Sequence, residues 1–153
     1  MLDTPAFPVF PAFAGIPAIA SSPWAYPMLE SAHTIGIALL LGNLVLLELR
    51  VWGRGAELPI RPLARLALPI SVAGFGLIAM SGLLMFAAAP NDMLGNRLFV
   101  IKMGLVMLAG LNAAFFHARD SLSVLDSTAR LQTLLSLGLW VAAIICGRWI
   151  AYT

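Results

Sequence analysis

Four long apolar stretches, separated by short clusters of charged residues, form the main pattern of this sequence. The clearest is the run of seventeen uncharged residues between Glu30 and Glu48. With its flanks it reaches the ~20 residues that a helix needs to cross a hydrocarbon core of ~30 Å. In lipid, apolar runs of this length satisfy their backbone hydrogen bonds only as helices. The pattern therefore predicts four membrane-spanning helices, at about 29–50, 66–89, 97–117 and 131–150.

The composition supports the same architecture. Of the 153 residues, 61% are apolar and 10% are charged, whereas soluble globular proteins average ~25% charged residues. We therefore predict an all-α membrane protein, a four-transmembrane-helix bundle in contact with the lipid bilayer. The nine basic residues lie beside the apolar stretches rather than in one patch, which argues against a nucleic-acid partner. Phosphate-binding glycine loops, paired-cysteine metal sites and nucleophile elbows are missing from the sequence, so whether the protein is an enzyme stays open.

The distribution of basic residues predicts how the bundle is oriented. Cytoplasmic loops of membrane proteins carry an excess of Lys and Arg. The loops after spans one and three hold six basic residues, namely Arg50, Arg54, Arg61, Arg65, Arg119 and Arg130. The opposite side holds three, namely Arg97, Lys102 and Arg148. We therefore expect both chain termini on the non-cytoplasmic side, called the outer side below.

Residues 1–28 form a separate segment, rich in Pro, Ala and Phe. Six prolines between positions 5 and 27 preclude a spanning helix. A signal peptide is not expected, because a basic start is missing and Asp3 is present. We predict an interfacial segment on the outer surface, with a short helix around 16–22. It either caps the bundle or contacts another subunit, and either role would bury Phe7, Phe10 and Phe13.

Small residues four positions apart predict close packing of the helices, because they let backbones approach each other in lipid. The pairs are Ala32 and Gly36, Ala109 and Ala113, Gly110 and Ala114, and Ala143 and Gly147. Two amides, Asn43 and Asn112, lie inside spans, where we expect them to join helices through hydrogen bonds.

Ionisable residues inside the spans are the best indicators of function, because each costs ~2.5–3.5 kcal/mol at the centre of a membrane helix. Glu30, His33, Lys102 and Arg148 all lie about one turn below the outer surface. In one interpretation Glu30 pairs with Lys102 or Arg148, the long cations extend outwards, and His33 is hydrogen-bonded beside them. In the other, these residues form a polar pocket that binds a cofactor, an ion or a quinone headgroup, with basic groups placed for haem propionates.

The two histidines lie too far apart to bind one haem iron. His33 is three residues into its helix and His117 twenty residues into another that runs the same way, so ~1.5 Å per residue separates them by ~25 Å. A haem at the outer site therefore needs His33 and a second ligand, for which the thioethers of Met85 and Met103 are candidates. On the inner side we predict a second polar site from His117, Glu48 and Arg50, which carries protons, holds a second cofactor or is simply a charged loop junction.

Several short strings carry a resemblance to a known family. They are W-x-Y-P at 24–27, E-x-x-H at 30–33, E-L-R-V-W-G at 48–53, N-R-L-F-V-I-K at 96–102 and G-L-N-A-A-F-F-H at 110–117. From Trp24 to about His117 the chain resembles an uncharacterised family of small four-helix bacterial inner-membrane proteins, in which Asp is usual at the position of Glu48. A weaker likeness, based on architecture, links it to copper-resistance D type and cytochrome-b-like membrane bundles. The resemblance implies the four-helix fold and a bacterial inner membrane, in which the outward-facing termini would be periplasmic, and it implies no activity.

These observations lead to one main functional hypothesis and two alternatives. The main hypothesis is a small cytochrome-b-like or quinone-interacting protein of electron transfer, with a quinone or a periplasmic protein as its redox partner. His33 is then the axial ligand of haem b. The remaining residues of the predicted site are Glu30, Met85, Arg97, Lys102, Met103 and Arg148. The first alternative is a copper-handling protein that uses Glu30, His33 and methionines, and the second is an accessory subunit whose N-terminal segment docks on a larger complex or on a second copy.

Overall fold

The computed structural model describes residues 15–152, apart from the side chain of Ala20, and these residues form helices and no strands. The helices are α1 (Pro17–Ala20), α2 (Ala25–Val51), α3 (Ile60–Ala88), α4 (Pro90–Gly95), α5 (Arg97–Ala118), α6 (Ser121–Val124) and α7 (Ser127–Trp149), followed by a 3-10 turn at Ile150–Tyr152. Helices α2, α3, α5 and α7 are long and apolar enough to cross a membrane. The predicted all-α bundle of four spanning helices is confirmed, and the chain is a multi-pass membrane protein.

The four long helices pack as two antiparallel hairpins. Helix α2 packs along α3, α5 packs along α7, and α2 also contacts α7. A stacked ring pair, Phe86 with Phe99 at 5.6 Å between centroids, bridges α3 and α5. Few side chains of α5 are enclosed, and Ala109 is its one buried residue. The hairpins therefore meet loosely and leave space between them.

Two of the long helices begin earlier than predicted. Helix α2 starts at Ala25 rather than near 29, because Pro27 lies in the first turn, where a missing N–H breaks no helical hydrogen bond. Helix α3 starts at Ile60 rather than 66, directly after Pro59. The prediction began this helix directly after Arg65, the last charged residue before the apolar stretch. In the structure, Arg65 belongs to the helix and is exposed. Charge therefore marks the edge of the lipid and not the end of the helix.

The closest approach of two helices lies where Gly36 of α2 meets Gly74 of α3. A Cβ built on Gly74 would come within 2.8 Å of both the Gly36 carbonyl oxygen and the Leu40 nitrogen. Gly36 was one of the small residues predicted to bring helices together. Its partner Gly74 belongs to none of the predicted pairs, because a single sequence does not indicate which helix faces which.

The two asparagines inside the spans have different roles. The Asn112 side chain donates to the Gln132 carbonyl oxygen at 2.9 Å and so joins α5 to α7, as predicted. The Asn43 side chain donates to the Leu39 carbonyl oxygen at 2.7 Å, which lies one turn earlier in its own helix. The predicted role of Asn43 between helices is therefore wrong.

The described part of the N-terminal segment lies against the bundle. The Ile16 N–H donates to the Ala87 carbonyl oxygen at 2.7 Å, and α1 contacts both α3 and α2. The short helix covers Pro17–Ala20, within the range predicted for it. The predicted burial of Phe7, Phe10 and Phe13 lies outside the described residues.

Asp126 caps the N-terminus of α7 and gives the first testable prediction. Its carboxylate accepts from the Ala129 N–H at 2.8 Å and pairs with Arg119 at 3.0 Å. The hydrogen bond from Ala129 and the one from Arg119 lower the pKa of this carboxyl below its ordinary 3.8. A carboxyl with a lower pKa in the folded state stabilises the protein above its unfolded pKa, and this contribution is lost as the pH falls through the folded pKa.

Asp126→Asn keeps a capping oxygen but removes the charge. In detergent, the wild type should therefore unfold at a higher temperature than Asp126→Asn at neutral pH, and the difference should close below about pH 4. Circular dichroism at increasing temperature measures the unfolding of both proteins. Arg119→Gln should remove part of the same pH dependence, because the hydrogen bond from Ala129 remains. A difference that persists to the lowest pH would show that charge plays no part.

Candidate functional site

A cavity of about 420 Å³ lies between the two hairpins, at the end of the bundle predicted to face outwards. The beginnings of α2 and α5 and the ends of α3 and α7 supply its walls, as an antiparallel bundle requires. Its lining residues are Glu30, His33, Thr34, Ile37, Leu40, Leu41, Ile78, Met85, Lys102, Val106, Trp140, Ala143, Ile144, Gly147 and Arg148. Sites for small molecules and cofactors usually measure ~300–1,000 Å³, with apolar walls and a few polar groups. This cavity, which we call the outer cavity, has that size and that lining.

Five of the seven residues predicted for the outer site line this cavity, namely Glu30, His33, Met85, Lys102 and Arg148. The other two, Arg97 and Met103, do not. Successive residues of a helix are rotated by ~100°, so Arg97 and Met103 lie ~140° and ~100° around α5 from Lys102. Both are exposed. Their predicted role at this site has no geometric support.

The His33 ring is held by Ser81 of α3. Its Nδ1 lies 3.0 Å from the Ser81 Oγ, which itself donates to the Leu77 carbonyl oxygen at 2.6 Å. A hydroxyl has one hydrogen and a carbonyl only accepts, so the Ser81 hydrogen goes to Leu77 and the Oγ accepts from His33 Nδ1–H. In the neutral ring the proton is then on Nδ1, and the lone pair of Nε2 is available to a ligand. The ring also lies against Gly82, where an added Cβ would make an ordinary van der Waals contact with the His33 Cε1 at 3.4 Å.

Two cations line the same cavity. Lys102 is half-buried and its side chain lies across Gly147 of α7, where a built Cβ would come within 3.1 Å of the Lys102 Nζ. Arg148 donates to the Tyr152 hydroxyl at 2.8 Å and lies 5.3 Å from the centre of that ring. Neither cation forms an ion pair with Glu30, since the one ion pair within residues 15–152 joins Arg119 to Asp126. The predicted pairing of Glu30 with Lys102 or Arg148 is therefore absent.

A smaller cavity of about 60 Å³ lies at the opposite end of the bundle, which is predicted to face inwards. It is lined by Leu44, Leu47, Glu48, Val51, Leu68, Asn112, Ala113, Phe116, His117, Leu122, Gln132, Thr133 and Ser136. We call it the inner cavity. Two residues of the predicted second site, Glu48 and His117, line it together. The third, Arg50, instead donates to the Leu58 and Ala56 carbonyl oxygens at 2.6 and 3.3 Å and holds the loop between α2 and α3.

Three side chains important to these cavities were not identified from the sequence. Ser81 orients His33, Trp140 forms a wall of the outer cavity and contacts Phe75 edge to face at 6.1 Å, and Gln132 closes the inner cavity. An amide inside a membrane helix usually has a partner, so Gln132 was recognisable. The positions of Ser81 and Trp140 carry no such signal.

The ligands that each cavity can hold follow from its side chains. Within the described chain, no group of three or more His, Cys, Asp and Glu residues is placed to bind a metal ion. The outer cavity instead offers the His33 imidazole, the thioether of Met85, two cations, and the polar groups of Glu30 and Thr34 within otherwise apolar walls. This combination suits an amphipathic ligand better than a bare ion. Comparison with protein-family models, with curated proteins and with solved structures finds no match to this chain.

Proposed function

We propose that this membrane protein is a cytochrome-b-like electron-transfer protein that holds a haem in the outer cavity through His33. The hydrogen bond from His33 Nδ1–H to Ser81, which leaves Nε2 free beside a 420 Å³ cavity, is the observation that carries the proposal. Histidines that bind metals almost always donate their other ring N–H to an oxygen acceptor in this way. A free lone pair also suits iron better than a quinone carbonyl, which needs a hydrogen-bond donor.

The remaining lining of the cavity fits the same ligand. Lys102 and Arg148 would neutralise two propionates beside the Glu30 carboxyl, while Trp140 and the aliphatic side chains would provide an apolar wall for the macrocycle. Met85 is the thioether that shares the cavity with His33. A haem bound there supplies one-electron chemistry, and the protein tunes it through the axial ligand, hydrogen bonding and burial. The distribution of basic residues supports an outward-facing, periplasmic site for a quinone or protein redox partner.

The two alternatives have less support. Copper handling would use Glu30, His33 and Met85, which line one cavity, but the described residues add no third His, Cys, Asp or Glu donor to complete a cluster around one ion. The accessory role depends on the N-terminal segment, of which residues 1–14 lie outside the described chain. The resemblance to a four-helix bacterial inner-membrane family is compatible with all three functions.

The test of the proposal is the visible spectrum of the protein purified from haem-replete cells. We expect a coloured preparation whose Soret and α bands change on reduction with dithionite. A colourless preparation that also fails to take up haemin in a titration would overturn the proposal. Copper in stoichiometric amounts, measured by elemental analysis of a colourless preparation, would favour the first alternative instead.

Ser81→Ala tests the geometry that carries the proposal. It removes the acceptor of His33 Nδ1–H, and losing such a partner typically costs 10–100-fold in metal affinity. The matched control is Ser71→Ala, because Ser71 is a buried serine of the same helix that donates only to the Ala67 carbonyl oxygen at 3.0 Å. Haemin titration should show weaker binding for Ser81→Ala and no change for Ser71→Ala. Equal affinities in the two variants would count against an oriented ligand.

A further inference from the structure

The inner cavity contains a carboxyl group whose burial the proposed function does not explain. Glu48 is 5% exposed, and its Oε2 is buried without a hydrogen-bond partner. Ser136 of α7 is the hydroxyl that lines the cavity together with this carboxyl. Burying an unpaired carboxylate costs several kcal/mol, so such groups are normally paired, protonated or hydrated. Glu48 therefore needs a partner that the fold itself does not provide.

The groups around Glu48 include no cation that pairs with it. From α5, His117 and Asn112 line the cavity, and from α7 Gln132, Thr133 and Ser136 do so. From α2, α3 and α6 the lining is apolar apart from Glu48 itself. Arg50 is engaged with loop carbonyls, and Arg119 pairs with Asp126 and donates to Gln132 Oε1 at 3.5 Å. Among the described residues that line the cavity, His117 is thus the other titratable group.

The neighbouring oxygen atoms do not form a site for a metal ion. Gln132 Oε1 accepts from the Ser121 hydroxyl at 3.1 Å, and Thr133 Oγ1 accepts from Trp52 Nε1 at 2.8 Å. Hard cations such as Ca²⁺ and Mg²⁺ need about six oxygen ligands. The cavity volume of about 60 Å³ is above the ~10–15 Å³ that one water requires. Water and a proton therefore fit the site better than a metal ion does.

We infer that the inner cavity is a proton-binding site, in which Glu48 takes up a proton from solvent through His117. His117 is exposed on one side and lines the cavity on the other, so it connects solvent with the buried carboxyl. In the transfer, an N–H bond of the His117 imidazolium breaks and an O–H bond forms at Glu48 Oε2, directly or through a cavity water. The neutral imidazole then regains its proton from solvent. This site lies at the opposite end of the bundle from His33 and does not depend on the proposed haem.

Infrared difference spectroscopy in lipid nanodiscs tests the inference. Spectra of the wild type are recorded at about pH 5 and at about pH 9. Their difference should contain the carbonyl stretch of a neutral carboxyl at the lower pH, and exchange into deuterium oxide should shift this band. Glu48→Gln should lose this band, and Glu57→Gln should keep it, because Glu57 lies exposed in the loop between α2 and α3. If circular dichroism shows that Glu48→Gln does not fold, Glu48→Asp is measured in its place. The band should then appear at another frequency than in the wild type.

The role of His117 is tested by the rate at which the band appears after a rapid drop in pH. His117→Asn should leave the final band unchanged and slow its appearance by about tenfold or more, as expected when a positioned proton donor is removed. A band that is absent from the folded wild type, or unaffected by substitution of Glu48, would overturn the proton site. Removal of the band by sodium ions, with a matching rise in thermal stability, would likewise overturn it in favour of a cation site. An unchanged rate in His117→Asn would refute the proposed route.

Discussion

His33→Ala is expected to abolish haem binding while leaving the bundle folded. The substitution removes the imidazole that lines the outer cavity and that Ser81 orients through Nδ1. Loss of an orienting partner alone costs 10–100-fold in affinity, so loss of the ligand itself should cost more than about 100-fold. Haemin titration followed by the Soret band measures the effect, and circular dichroism checks that the helical content is kept.

The matched control for His33→Ala is His117→Ala. His117 belongs to the lining of the inner cavity, at the other end of the same bundle. The His117→Ala variant should bind haemin with the affinity of the wild type. If His33→Ala and His117→Ala bind haemin equally well, His33 is not the axial ligand. If His117→Ala alone loses binding, the haem lies in the inner cavity, and our proposal is wrong.

Gly74→Ala is expected to lower the stability of the bundle strongly, although alanine is the better helix former. The added Cβ would lie 2.8 Å from two backbone atoms of α2, the Gly36 carbonyl oxygen and the Leu40 nitrogen. Backbone atoms of a packed helix do not move aside as a flexible side chain does, so α2 and α3 must separate. Overpacking of this kind typically costs ~1–3 kcal/mol.

Gly76→Ala is the control for Gly74→Ala. It lies two residues further along the same helix, and a Cβ built there meets nothing within 4 Å. Alanine is favoured over glycine in a helix by about 1 kcal/mol, so Gly76→Ala should be as stable as the wild type or more so. Thermal unfolding in one detergent should therefore show shifts of opposite direction for the two variants. Equal shifts would mean that α2 and α3 do not cross at Gly36 and Gly74.

The structure brings together five of the seven residues predicted for the outer site, for a reason of topology. Four consecutive spans joined by short loops must alternate in direction, so the starts of spans one and three meet the ends of spans two and four. This places Glu30, His33, Lys102, Met85 and Arg148 at one depth, and the structure has all five in the lining of one cavity. Arg97 and Met103 lie at a similar depth on other faces of α5 and are exposed. The depth of each residue along its helix was predictable from the sequence. The side of the helix on which its side chain lies, towards the cavity or away from it, was not.

The sequence by itself determined that the chain crosses a membrane as four helices, because lipid admits no other arrangement of such long apolar runs. Only the tertiary structure decided which faces meet: Gly36 with Gly74, His33 with Ser81, and Glu48 with the inner cavity. In a soluble protein, the apolar stripe of a helix marks its buried face. In a membrane helix the face towards lipid is as apolar as the face towards its neighbours, so hydropathy alone does not distinguish them. The partners of each polar side chain follow from close packing between helices, which a single sequence does not encode in any local pattern.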